Sequence, residues 1–78
     1  RRQLSMAAQQ IQQLIKMANQ IALNTGALTH PEDSVQKTAE HMRKFWTPAM
    51  REQLNTYWRE GGDGLEPVVT RSLEQLAL

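Results

Sequence analysis

The sequence predicts an all-α protein, a small bundle of about four helices. Three observations lead there. Apolar residues recur at steps of three and four, the spacing that gathers them on one face of a helix. Glycines and prolines fall between those runs, at Gly26, Pro31, Pro48, Gly61, Gly62, Gly64 and Pro67. No segment sustains the period-two alternation of a strand. Residues 1–78 make one domain, and a chain of this size buries only about 60% of its unfolded surface, so its core is small.

The first helix is expected from Leu4 to Leu23. Its stripe is Leu4, Ala7, Ala8, Ile11, Leu14, Ile15, Ala18, Ile21 and Ala22, with Met6 and Met17 beside it. Gln9, Gln10, Gln12, Gln13, Lys16, Asn19 and Gln20 fill much of the other side, which is polar but mostly uncharged. Gly26 ends it, because glycine tolerates the left-handed cap conformation. The stripe is nearly heptad-like, so a self-associating helical protein stays open, although under three heptads is little support for a coiled coil.

The second helix is expected to begin at Thr29 or His30. Pro31, Glu32 and Asp33 stand in its first turn, the acids complement the helix dipole, and Thr29 with Glu32 fits a capping box. Val35, Ala39, Met42 and Trp46 form its apolar face, with Thr38 and Phe45 alongside. Glu40 and Lys44 are spaced for an ion pair. A joint follows at Thr47-Pro48. Proline lacks an N–H and drives the preceding residue out of the α region, so the helix should stop near Thr47. Thr47 can then cap a third helix whose first residue is Pro48. That helix should run to about Arg59 with Met50, Leu54, Tyr57 and Trp58 on its face, and Gly61-Gly62-Asp63-Gly64 should stop it. Leu65-Glu66-Pro67 opens the last helix, faced by Val68, Val69, Ser72, Leu73, Leu76 and Ala77.

Chemistry is sparse along this chain. It has no cysteine, hence no disulfide framework, no thiolate metal site and no cysteine nucleophile. His30 and His41 lack the partners of a metal site, and His41 reads as a packed or hydrogen-bonded side chain in the joint. The glycine stretch lacks the Lys-Ser/Thr ending and preceding strand of a phosphate loop. No catalytic constellation assembles, so the chain is not expected to be an enzyme by itself. No apolar run approaches the ~20 residues of a membrane span, and no signal-peptide pattern is visible.

What stands out is His41-Met42-Arg43-Lys44-Phe45-Trp46-Thr47-Pro48-Ala49-Met50-Arg51. It holds the only Phe, one of the two Trp and three of the nine basic residues. One interpretation is a helix corner whose aromatics fill the core. Another is a docking surface, since aromatics and Arg are enriched at protein–protein hot spots. A third is a small nucleic-acid-binding module, in which aromatics stack on bases and Arg or Lys hold phosphates. The net charge of +1 argues against that third reading.

Three stretches, in order, resemble the delta subunit of NAD-dependent, molybdenum-containing formate dehydrogenases of bacteria. Lys16-Met17-Ala18-Asn19-Gln20-Ile21 is similar to that family's Met-Ala-Asn-Gln-Ile signature. The joint is similar to its His-x-Arg-Lys-Phe-Trp-x-Pro-x-Met-Arg core. Gly61-Gly62-Asp63-Gly64-Leu65-Glu66-Pro67-Val68-Val69 is similar to its closing Gly-Gly-acid-Gly-Leu-x-Pro segment. The likeness covers about residues 16–69. The chain departs from the family where Leu23 and Asn24 replace a frequent aromatic pair, and where Ala49 stands in place of a frequent Arg.

The resemblance implies a noncatalytic, cytoplasmic accessory subunit that binds the catalytic (alpha) subunit of formate dehydrogenase and supports its assembly, cofactor insertion or stability. It implies that the partner enzyme, not this chain, carries bis-molybdopterin guanine dinucleotide, iron–sulfur clusters, FMN and NAD. With no cysteine, the chain lacks the usual ligands of an iron–sulfur cluster. The residues expected to meet the partner are Arg43, Lys44, Phe45, Trp46, Met50 and Arg51 at the joint, with Met17, Asn19 and Gln20 from the first signature. The isolated chain, whose core is small, is expected to form a homodimer or to be only marginally stable alone.

Overall fold

The computed structural model describes the backbone of residues 6–77 and the side chains from Gln9 onward. Four helices form: α1 (Met6–Asn24), α2 (Pro31–Phe45), α3 (Pro48–Arg59) and α4 (Pro67–Ala77). Among the described residues there is no strand. The expected start of the first helix at Leu4, and its side chains up to Ala8, lie outside the described part.

Each break has a local cause. At the end of α1 the Ala27 N–H donates to the Ala22 carbonyl and the Gly26 N–H to the Leu23 carbonyl. This paired Schellman arrangement needs a left-handed residue, and Gly26 supplies it with φ +102°. The same pairing closes α3, where the Gly62 N–H donates to Tyr57 and the Gly61 N–H to Trp58. At the joint the Trp46 N–H closes α2 on the Met42 carbonyl, and Trp46 then turns extended with ψ 143°. Thr47 is extended as well, with ψ 158°, and its hydroxyl accepts the Met50 N–H at 3.2 Å, with Pro48 as the first helical residue.

The start of α2 departs from expectation. Its N-cap is His30, without a side-chain cap, and the Thr29–Glu32 capping box does not form. The reason is the turn before it. The His30 N–H donates to the Gly26 carbonyl at 2.7 Å, which keeps Thr29 inside that turn and one residue short of the cap position. The Thr29 hydroxyl instead lies 3.0 Å from His30 Nδ1. Glu32 is thereby free to reach Arg71 of α4 at 2.8 Å.

The core is assembled around α1, which touches all three other helices. Leu14, Ile15, Ala18 and Ala22 cluster with Val35, Met42 and Trp46 of the second helix and its cap, Leu54 of α3, and Val68, Val69 and Leu73 of α4. The most extensive pairing is α2 with α4, and α3 joins the rest chiefly through α1. Leu54 is the only fully buried residue of α3; Met50, Tyr57 and Trp58 pack from its flanks.

Small hydroxyl residues let the helices approach closely. Ser34, Thr38 and Ser72 are fully buried. The Ser34 hydroxyl donates to the Ala22 carbonyl at 3.0 Å and lies 2.7 Å from the Thr25 hydroxyl, which in turn lies 3.2 Å from that of Thr38. Ser72 bonds both its own helix at the Val68 carbonyl and α2 at the Val35 carbonyl. Every buried hydroxyl thus has a partner, which avoids the desolvation penalty of an orphan.

Candidate docking surfaces at the helix corner

Phe45 and Trp46 are adjacent and part ways. Successive residues on a helix are rotated by about 100°, and the turn out of helix at Trp46 widens the difference. Trp46 is 4% exposed and belongs to the core, whereas Phe45, the last residue of α2, is 70% exposed. Phe45 does not stand alone. The His41 ring packs against it one turn earlier, with centroids 4.9 Å apart and planes tilted by 47°. His41 is therefore half-exposed beside Phe45 and not a packed core residue. Lys37, Glu40 and Lys44 complete a shallow depression along this outer face of α2.

The charges here are held by one carboxylate. Glu40 takes Arg43 at 2.9 Å and, through its other oxygen, Lys44 at 3.5 Å. All three are exposed, so such pairs contribute only about 0.2–0.5 kcal/mol each to the helix. Lys44 is thereby held at the edge of the Phe45 depression, whereas Arg43, two residues before Phe45, lies off that face of the helix.

Arg51 lies elsewhere. It lines a groove of about 350 Å³ between α3 and α4 that shares no residue with the Phe45 depression. The sequence presented the joint as one surface; the structure divides it in two. Met50 is half-buried against the core. Asn55 and Arg59 line the groove with Arg51. Neither Asn55 nor Arg59 was singled out in the sequence, although their spacing of four and eight from Arg51 marks one helical stripe.

The first signature turns inward. Asn19 of α1 uses both ends of its amide on the loop before α4: Nδ2 donates to the Gly64 carbonyl at 2.9 Å, and Oδ1 accepts the Glu66 N–H at 3.0 Å. The loop is further held by the Tyr57 hydroxyl, which donates to the Asp63 carbonyl at 2.7 Å. Gly62 has φ +64° there, and a Cβ would stand 3.2 Å from Trp58 Cδ1, so a side chain is doubly disfavoured. Met17 is half-buried against the core, and Gln20 is exposed, donating to Asn24.

Among the described residues no group of three or more His, Asp or Glu side chains is placed to hold a metal ion. No helix there is long and apolar enough to cross a membrane. Glu32 and Arg71 shift each other's acidity. The hydrogen bond from Arg71, and then its charge, lower the Glu32 pKa; the same contacts raise that of Arg71.

Fold and surface together define a small all-α protein with a fully packed core and an aromatic, basic corner left open. The family model for the NADH-dependent formate dehydrogenase delta subunit FdsD matches residues 13–73, and the chain belongs to that family. The match takes in all three of the stretches on which the resemblance rests. No curated protein sequence and no solved structure matches the chain. As a family member it is an accessory subunit of a formate dehydrogenase and associates with other subunits of that enzyme.

Proposed function

We propose that this chain is a noncatalytic subunit that docks on the molybdenum-bearing catalytic subunit of a cytoplasmic bacterial formate dehydrogenase and supports its assembly, cofactor insertion or stability. The observation that carries the proposal is Phe45. It is 70% exposed, in a chain whose other aromatic residues are drawn at least partly into the fold. Exposing a phenylalanine forgoes about 1.5–3 kcal/mol of burial, a cost that docking would recover. Around it, Lys37, Lys44 and His41 supply the polar rim typical of interfaces. Trp46 serves this surface indirectly, by fixing the corner. The molybdopterin, iron–sulfur and flavin groups belong, in this proposal, to the partner subunits. The test is co-purification of the tagged chain with the other subunits, from cells able and unable to make the molybdenum cofactor. Recovery of the catalytic subunit is expected; its absence from both preparations would contradict the proposal.

A further inference from the structure

The groove between α3 and α4 has two unlike walls. On the α3 side Arg51, Asn55 and Arg59 stand one turn apart in a single stripe, which spans about 12 Å along the helix at 1.5 Å per residue. On the α4 side stand Leu73 and Leu76. Arg51 Nε and Asn55 Oδ1 are both buried and without a hydrogen-bond partner, one a donor and the other an acceptor. Among the described residues neither Arg51 nor Arg59 has an ion-pair partner; the other two arginines there, Arg43 and Arg71, both do.

We propose that this groove binds an extended acidic segment of another formate dehydrogenase subunit, an inference that rests on the docking role proposed above. Two features select that occupant. The two guanidinium groups match carboxylates, which they can bind through paired hydrogen bonds. Some 12 Å accommodates about four residues of extended chain, and the half-buried Leu76 offers an apolar contact for a side chain between the acids. A polyphosphate fits less well, since half of the lining residues are apolar.

The test uses the full chain and the assembled enzyme. Arg59→Glu and Arg51→Gln should each weaken binding to the other subunits at least tenfold with thermal melts close to wild type. Because the chain has no cysteine, Glu52→Cys places a unique thiol in the groove for a photo-crosslinker. Its adducts should map to a segment of another subunit bearing Asp or Glu. Wild-type affinity of both arginine variants, or adducts only with a second copy of this chain or a segment without acids, overturns the groove assignment and leaves the docking role intact. If the wild-type chain binds no other subunit, the docking role fails. The groove is then judged with the peptide acetyl-Glu-Leu-Asp-Leu-Glu-amide and its Gln/Asn counterpart, followed by NMR. Saturable shifts at Arg51, Arg59 and Leu76 with the acidic peptide alone support it; equal or scattered shifts, or none at millimolar peptide, overturn it.

Discussion

The Asn19 bracket and the Phe45 corner are both built from family-like stretches, and they use their side chains in opposite ways. Asn19 joins the first such stretch to the last, its two polar atoms each spent on a backbone group 45 and 47 residues away. Both ends of that amide are engaged in holding the fold. At the corner the fold uses Trp46, Thr47 and Pro48, and leaves Phe45 largely exposed. A shared motif is therefore not a functional site as such. The residues to suspect are those whose contacts the fold does not account for.

Variants can break this contrast from its structural side first. Trp46→Ala removes a buried aromatic where α2 ends, and should destabilise the domain by about 3–5 kcal/mol, as large aromatic truncations do. In so small a domain that is enough to unfold most of the population, visible as loss of helical circular dichroism. Asn19→Ala comes next. It frees two backbone groups at a partly exposed site, and should cost about 1–2 kcal/mol, read as a lower melting temperature. Amide exchange at Glu66 should quicken in that variant, while affinity for a partner, measured below the melt, stays near wild type.

The smallest effect is the tie between Glu32 and Arg71. Glu32 has a lowered pKa in the folded chain, so its contribution is present above the unfolded carboxylate value and is lost as pH falls through the folded one. Melting temperatures of wild type and Arg71→Gln should differ slightly at neutral pH, converge in the acid range, and converge at high salt as well, because both side chains are exposed.

The sequence made the breaks legible because proline and glycine act locally. Pro48 fixes its own φ and restricts Thr47, and Gly26 accepts a positive φ, whatever the rest of the chain does. The capping box failed for a reason that is also local but depends on a second motif. The turn at Gly26 claims His30, and two adjacent signals competed for one register. The direction of Phe45 and Trp46 was only half legible. Adjacency shows that both cannot point inward, but which one does depends on where the helix stops. The Thr25–Ser34–Thr38 hydroxyl cluster and the Asn19 bracket join residues far apart in sequence, and no periodicity announces such pairings. The α3–α4 groove was hidden for the same reason, since its walls come from two different helices and α3 is held chiefly by α1.

The central claim is that Phe45 serves a partner and not the fold. Its most direct test is a binding isotherm of Phe45→Ala against the molybdenum-bearing catalytic subunit, paired with a thermal melt of the variant alone. A hot-spot aromatic costs about 2 kcal/mol when truncated, roughly a thirtyfold loss of affinity, and stability should stay within about 0.5 kcal/mol of wild type. Unchanged affinity together with a melt lowered as far as that of Trp46→Ala would show that Phe45 belongs to the fold after all.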